Sequence, residues 1–419
     1  MTQKLAVIGQ GYVGLPLAMQ AVDAGYDVVG LDIDIGRVRR LVGGESYVED
    51  VASDQVRAGL ASGRYRPTVN AEDCAGFDFA VITVPTPLRD RVPDLSYIEH
   101  AAKAIAPLVT SGACVVLEST TYPGTTEELL VPILENGSHL IAGQDFFVGY
   151  SPERLDPGNP RWRLANTPKV VSGIDPQSLA LVQAFYASLV ERTVSVHSTA
   201  QAELVKLIEN TFRHVNIALV NELAMYAGDL GLDIWAALDA AETKPFGFMR
   251  FNPGPGVGGH CLPVDPNYLA WQVKRRVGTT FRFVELANDV NDHMPGYVVR
   301  RLARAFHQRP HAVRGARILL LGLAYKPNTG DARESPALVV AQQLAALGAR
   351  TRAVDPYVEE DQIDPSIVRT ELTAGEVEAA DAVVMLTNHD VFDLDLVLRH
   401  GRYILDTRHC LAGPNVERL

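Results

Sequence analysis

A chain of 419 residues exceeds what one hydrophobic core usually organises, so two or three domains with room for a cleft are expected. Its 47% hydrophobic and 21% charged residues are those of a globular protein and exclude disorder or a fibre. Lys and Arg total 38 against 50 Asp and Glu, a formal charge of -12, which excludes binding of a nucleic-acid backbone by bulk attraction.

The first residues, MTQKLAVIGQGYVG, form one short apolar run that breaks at glycines, and no later stretch reaches about 18 uninterrupted apolar residues. Neither a secretory signal nor a membrane partner is therefore expected, and the placement is cytoplasmic. Cys74, Cys114, Cys261 and Cys410 are scattered without metal-type pairing or the density of a disulfide scaffold, so reduced thiols and no metal are expected.

In chain order, Lys4 to Ile8 reads as a buried strand, a glycine turn follows, an apolar helix runs to Ala24, and Asp27 to Leu31 is a second strand. Apolar runs at Phe79 to Val84, Cys114 to Glu118 and Phe146 to Gly149 alternate with helical patterns, as in a doubly wound parallel sheet. From about Ala200 to Gly231 a long helical stretch without proline marks a different module. A glycine-rich segment, Asn252 to Gly259, and a helical span to about His307 follow it. Strands then recur at Arg317 to Gly322, Thr351 to Val354, Ala382 to Leu386 and Tyr403 to Leu405. The predicted fold is α/β: two doubly wound Rossmann-like domains joined by a central long-helix domain, with segments 1–198, 199–305 and 306–419.

Gly9, Gly11 and Gly14 form GxGxxG directly after a predicted strand and at the start of a predicted helix, where backbone amides can face a pyrophosphate. Asp32 ends the next strand, placed to accept hydrogen bonds from both ribose hydroxyls and to repel a 2′-phosphate, so NAD is expected over NADP. Arg37 admits two roles, approaching a phosphate or covering the adenine. Tyr12, Val13, Thr83, Pro85 and Thr120 complete the candidate cofactor set. The second sheet begins RILLLGLAYKPNTG, without that glycine spacing, so the two sheets are expected to bind different ligands.

The segment FNPGPGVGGHCLPVDPNYL crowds glycines and prolines around Cys261. An average cysteine is a small buried hydrophobe, but this neighbourhood is polar and its backbone specialised, which suits a reactive thiol. Lys206 and Asn210 stand four residues apart on the long predicted helix and share a face. A lone helical lysine is usually solvated; the apolar surroundings here favour an inward face.

GQGYVGLPLA, STTYPGTTEE, SPERLDPGN, AELVKLIEN, GGHCLPVDP and KPNTGDARES occur in an order and spacing that resemble the UDP-glucose/GDP-mannose dehydrogenase family across essentially the whole chain. The resemblance implies a four-electron oxidation of a nucleotide sugar's primary alcohol to a carboxylate at the expense of two NAD. It implies Cys261 as the nucleophile that captures the aldehyde, and Lys206, with its neighbour Asn210, as the group that stabilises oxyanion character. It further assigns Thr120 to holding a water, Asp265 to handling a proton and Glu153 to acting as a base in hydrolysis.

The resemblance places the nucleotide part of the substrate in the C-terminal domain, where Lys326 and Arg408 suit a diphosphate. Glu153, Arg154 and Leu155, Lys206 and Asn210, and Arg250, Asn252 and Gly258 make up the rest of the candidate substrate set. The central helix implies a homodimer or larger homo-oligomer. UDP-glucose, UDP-N-acetylhexosamine and dTDP-glucose remain open as substrates. Two other readings stand beside this one: a two-electron dehydrogenase of the 6-phosphogluconate or hydroxyisobutyrate type, and a non-catalytic nucleotide-binding protein.

Overall fold

The computed structural model describes residues 2–89, 92–156, 159, 161–259, 262–307, 312–364 and 367–419. The chain forms two compact units, Met1–Glu209 with Asn267–Thr279, and Asn210–Pro266 with Thr280–Leu419.

The first unit is built on an eight-stranded sheet of β1 (Lys4–Ile8), β2 (Asp27–Leu31), β3 (Tyr65–Thr68), β4 (Phe79–Ile82), β5 (Cys114–Leu117), β6 (Phe147–Tyr150), β7 (Lys169–Gly173) and β8 (Thr193–Ser195), in the order β8-β7-β6-β5-β4-β1-β2-β3. Its central strands read as unbroken apolar runs because both faces are covered, and successive side chains alternate between them. Leu5, Val7, Val28 and Val116 enter one core cluster, Ala6, Ile8, Val29 and Val115 the other. Each of these leucine, isoleucine and valine side chains contributes roughly 1.5–3 kcal/mol by leaving water.

Two strands depart from the expected parallel pattern: β7 runs antiparallel to β6, with Tyr150 opposite Ser172 and Gly149 opposite Gly173, and β8 pairs parallel to β7. A parallel neighbour needs a crossover, usually helical, whereas a reversed one needs only a loop. Between Tyr150 and Lys169 the described residues contain no helix, so the chain turns back. The reversal puts the start of β7 beside the end of β6, where Ser151, Pro152 and Glu153 emerge.

The helices that matter for the site are α1 (Gly14–Asp23), α2 (Thr199–Asp229), α3 (Ile234–Glu242), α4 (Asp265–Val277), α5 (Arg282–His307) and α6 (Pro336–Ala346). The single helical span read up to His307 is thus two helices; α4 ends before Gly278, whose φ of +74° no helix interior tolerates. In the second unit β9 (Arg317–Leu321), β10 (Arg350–Val354), β11 (Val368–Arg369), β12 (Ala382–Met385), β13 (Ile404–Asp406) and β14 (Val416–Arg418) form an all-parallel sheet ordered β11-β10-β9-β12-β13-β14.

Candidate active site

The glycine turn between β1 and α1 has the shape its spacing predicts. Gly9 adopts φ +97°, and a Cβ there would fall 2.9 Å from the Thr83 carbonyl oxygen. One on Gly14 would fall 1.8 Å from the Gly9 oxygen, whereas one on Gly11 would meet nothing within 4 Å. The turn is closed on its protein side and open at Gly11, the geometry a pyrophosphate needs. Thr83 braces this turn, its hydroxyl donating to the Ile8 and Gly9 oxygens at 3.0 and 2.8 Å. Tyr12 and Pro85 are exposed and Val13 is half-buried.

Asp32, 5% exposed, accepts from the Gln10 amide at 2.8 Å and the Asp34 amide at 2.9 Å. Those amides aim the carboxylate and leave lone pairs for a ribose diol. Arg37 lies 3.6 Å from the Asp32 carboxylate. Ile33, not singled out from the sequence, stands 83% exposed beside Asp32. This donor set fits NAD.

Further along the same unit, Lys206 on α2 is 6% exposed, and its ammonium donates to Glu153 twice, to the backbone oxygen at 2.7 Å and to the carboxylate at 2.9 Å. The structure therefore brings together two candidates 53 positions apart. The Glu153 carboxylate also accepts from the Leu155 amide. Arg154 is committed elsewhere, donating to the Pro168 oxygen at 2.6 Å and pairing with Glu209 on α2. Thr120, half-buried, follows Ser119, whose hydroxyl donates to the Val84 oxygen at 2.7 Å. Its loop is held by Glu203, one turn before Lys206 on α2. The Glu203 carboxylate is fully buried and accepts from the Gly124 amide at 2.5 Å and from the Thr126 amide and hydroxyl at 2.8 and 2.7 Å.

In the second unit, the Asn210 side-chain amide donates to Asp265 at the start of α4, and both are buried. His260 and Cys261 lie outside the described residues. The loop leading to them is shaped by contact. A Cβ on Gly258 would come 2.6 Å from the Glu334 oxygen, and one on Gly259, at φ +84°, 2.7 Å from the Tyr325 ring. The Gly259 amide donates to the Arg333 oxygen at 3.1 Å, so the segment before Cys261 is laid against the loop after β9. Tyr325 went unread in the sequence, because nothing local marks an aromatic ring as the surface a distant glycine must approach.

Arg408 sits in a turn after β13 that Asp406 organises by accepting from its amide at 2.8 Å. Its guanidinium donates to the Leu386 oxygen at 2.5 Å, and burial pulls its pKa down to about 10. Lys326 is half-buried and its carbonyl closes a turn with the Thr329 hydroxyl at 3.2 Å. Arg250 is held by Asp239 at 2.6 Å and Glu242 at 2.8 Å on α3, and by the exposed Asn252 at 2.9 Å.

The two sheets use equivalent acids differently. Asp355 follows β10 as Asp32 follows β2, yet it accepts from the amides of Leu323, Ala324, Tyr357 and Val358 and from His389. Burial raises its pKa, but these hydrogen bonds outweigh burial and hold it below the ordinary carboxylate range. Its acceptor capacity is spent on its own backbone, which agrees with different ligands for the two units.

Three models of the UDP-glucose/GDP-mannose dehydrogenase family match the chain in order: the NAD binding domain over residues 3–190, the central domain over 200–293 and the UDP binding domain over 319–413. The chain is 36% identical to a UDP-N-acetyl-D-mannosamine dehydrogenase of Pyrococcus horikoshii, over 99% of this chain and 97% of that one. It is 38% identical to a UDP-N-acetyl-D-glucosamine 6-dehydrogenase of Pseudomonas aeruginosa, over 93% and 91%. The solved structure of a UDP-D-ManNAc dehydrogenase from Pyrococcus horikoshii superposes with a TM-score of 0.90 at 34% identity, covering 99% of both chains. With a glycine turn and acid that fit NAD, and three domain models matched in order, the chain belongs to the UDP-glucose/GDP-mannose dehydrogenase family and is an NAD-dependent nucleotide-sugar dehydrogenase.

Proposed function

We propose that the chain oxidises the 6-hydroxymethyl group of a UDP-N-acetylhexosamine to the carboxylate, in four electrons, through a covalent adduct on Cys261. The observation that carries this reading is the buried Lys206 ammonium, gripped by the Glu153 carbonyl and carboxylate one helical turn from Asn210. The names of the two similar enzymes above support the choice of an N-acetylated sugar.

NAD, when bound, accepts the hydride of each of the two oxidations. Asp32 would receive its ribose hydroxyls and the open Gly11 face its phosphates. Lys206 and Asn210 stabilise negative charge on the oxygen of the carbon from which hydride departs, and Asp265 orients Asn210 and takes up the proton. The Cys261 thiolate then bonds to the aldehyde carbon, and oxidation of that adduct leaves a thioester. A water held by Thr120 and activated by Glu153 breaks the carbon–sulfur bond, releasing the acid and restoring the thiol.

Burial pushes the other thiols up, Cys74 to about 11, Cys114 to about 12 and Cys410 to about 12, the last with help from Asp406. They are held protonated and unfit for this step. Lys326 and Arg408 hold the diphosphate. Segments 1–198, 199–305 and 306–419 divide the work into cofactor, catalysis and nucleotide recognition.

We also propose a homodimer through α2. Phe212, Leu219, Leu223 and Tyr226 are exposed on it at spacings of seven, four and three residues, a seam suited to a second copy.

The deciding experiment is NADH formed per sugar consumed, with UDP-N-acetylmannosamine, UDP-N-acetylglucosamine, UDP-glucose, dTDP-glucose and GDP-mannose each offered in turn. Two NADH from an N-acetylhexosamine are expected. One NADH would mean a two-electron reaction and no thioester, and turnover of another sugar alone would overturn the substrate assignment.

A further inference from the structure

Beneath the Glu153 loop lies a second buried cation that the reaction does not use. Lys169, the first residue of β7, is 2% exposed. Its ammonium contacts the carboxylate of Glu118, also 2% exposed, and donates to the Pro152 carbonyl at 3.1 Å. The fully buried Tyr186 donates its hydroxyl to the other Glu118 oxygen at 2.7 Å. Glu118 directly follows β5 and precedes Ser119 and Thr120.

A buried ion pair is a poor way to gain stability. Removing both charges from water costs several kcal/mol per ion, and apolar side chains of similar volume often serve as well. Apolar side chains could not, however, hold a carbonyl. Pro152 and Glu153 present successive carbonyl oxygens, the first to Lys169 and the second to Lys206. The loop is strung between two ammonium groups, one from the sheet and one from α2. Arg154 adds a third tie, to the carbonyl of Pro168, the residue just before Lys169.

The reversed direction of β7 makes this possible. Its antiparallel register against β6 carries Lys169 past the strand end and under the loop, a place that a parallel strand would fill with its last residue. On the other side, the Glu118 backbone leads into the loop of Thr120.

We propose that the Lys169–Glu118 pair, braced by Tyr186, is a positioning device that sets the Glu153 loop and the Thr120 loop at one height for the Lys206 ammonium. This rests on the reading that Lys206 and Glu153 act on the substrate. Displacement by about 1 Å at such a loop can lower turnover by about 10²-fold without touching the reacting groups.

The test is the full-length enzyme carrying Glu118→Gln with Lys169→Met, which removes both charges while leaving Tyr186 an acceptor. Expected are a folded protein by circular dichroism, NAD affinity and sugar KM within about threefold of wild type, and kcat lowered by about 10–100-fold. Lys169→Arg, which can reach the same carbonyl and carboxylate, is expected to recover most of kcat. A folded double variant with wild-type kcat would overturn the proposal, as would one whose loss lies wholly in KM. Should the double variant not fold, Tyr186→Phe reads the same coupling: kcat reduced several-fold at constant KM supports it, and unchanged kcat overturns it. Lys206→Ala run alongside separates the two readings. Full turnover there would remove the catalytic role on which the device depends, whereas loss there with full turnover in the double variant removes only the device.

Discussion

At position 206 an ammonium is buried with a carbonyl and a carboxylate for partners, and those two acceptors hold and aim it. Lys206→Ala is expected to lower kcat by roughly 10²–10³-fold, the range for loss of one oxyanion donor, while NAD affinity stays near wild type. Steady-state kinetics with an NAD titration decide it, and unchanged turnover would take Lys206 out of the chemistry. Glu203 makes a different statement. Burial pushes its carboxyl up to about 7, although hydrogen bonds from Thr126 and Gly124 pull the other way. A group whose folded pKa is raised contributes stability below its ordinary value that is lost as pH climbs through the folded one. Thermal unfolding should therefore show stability falling between about pH 5 and pH 8. Glu203→Gln should flatten that fall, and an identical slope in the variant would show that other groups cause it. The sequence marks Lys206 because its helical face is local; Glu203 looked like any helical acid because the amides it receives come from 77 and 79 positions away.

Among the elements, the glycine segment before Cys261 shows how much of a motif is imposed from outside. Gly259 needs its positive φ and also the missing side chain, since Tyr325 occupies the space. Gly278 has a similar φ of +74°, but a Cβ there would meet nothing within 4 Å. Gly278→Ala should thus incur only the backbone strain, roughly 1–2 kcal/mol, with kcat unchanged. Gly259→Ala should add displacement of the loop and lower kcat about tenfold or more, at unchanged NAD affinity. Unfolding curves and turnover on the two variants check this; equal effects on kcat would mean that the contact with Tyr325 is irrelevant to the site. Strand β7 teaches a related lesson. KVVSG was not singled out as a strand from the sequence, and nothing in those five residues states its direction, which goes with a preceding loop whose described residues contain no crossover helix.

For the molecule as a whole, the proposed homodimer makes the exposed apolar seam of α2 its contact. Leu219→Glu with Leu223→Glu is expected to leave the fold intact and shift the protein to monomer in sedimentation velocity. A wild-type sedimentation coefficient in that variant would place the contact elsewhere. Activity loss in the monomer would further show that the site needs the second copy.

What the sequence determined by itself is what local physics decides. The β1–turn–α1–β2 unit, its three glycines and Asp32 were legible because strand period, φ freedom and the reach of one carboxylate operate within about thirty residues. Six motifs in order, too, carry the family without coordinates. Only the tertiary structure decided which of these residues meet. Lys169 finds Glu118 across 51 positions, and Lys206 finds Glu153 across 53, because strand order and register bring their ends together. Arg154 and Arg250, read as substrate ligands, are found engaged by Glu209 and by Asp239 and Glu242. Such pairings are fixed by the burial of whole faces of sheet and helix, a property summed over the chain and written at no single place in it.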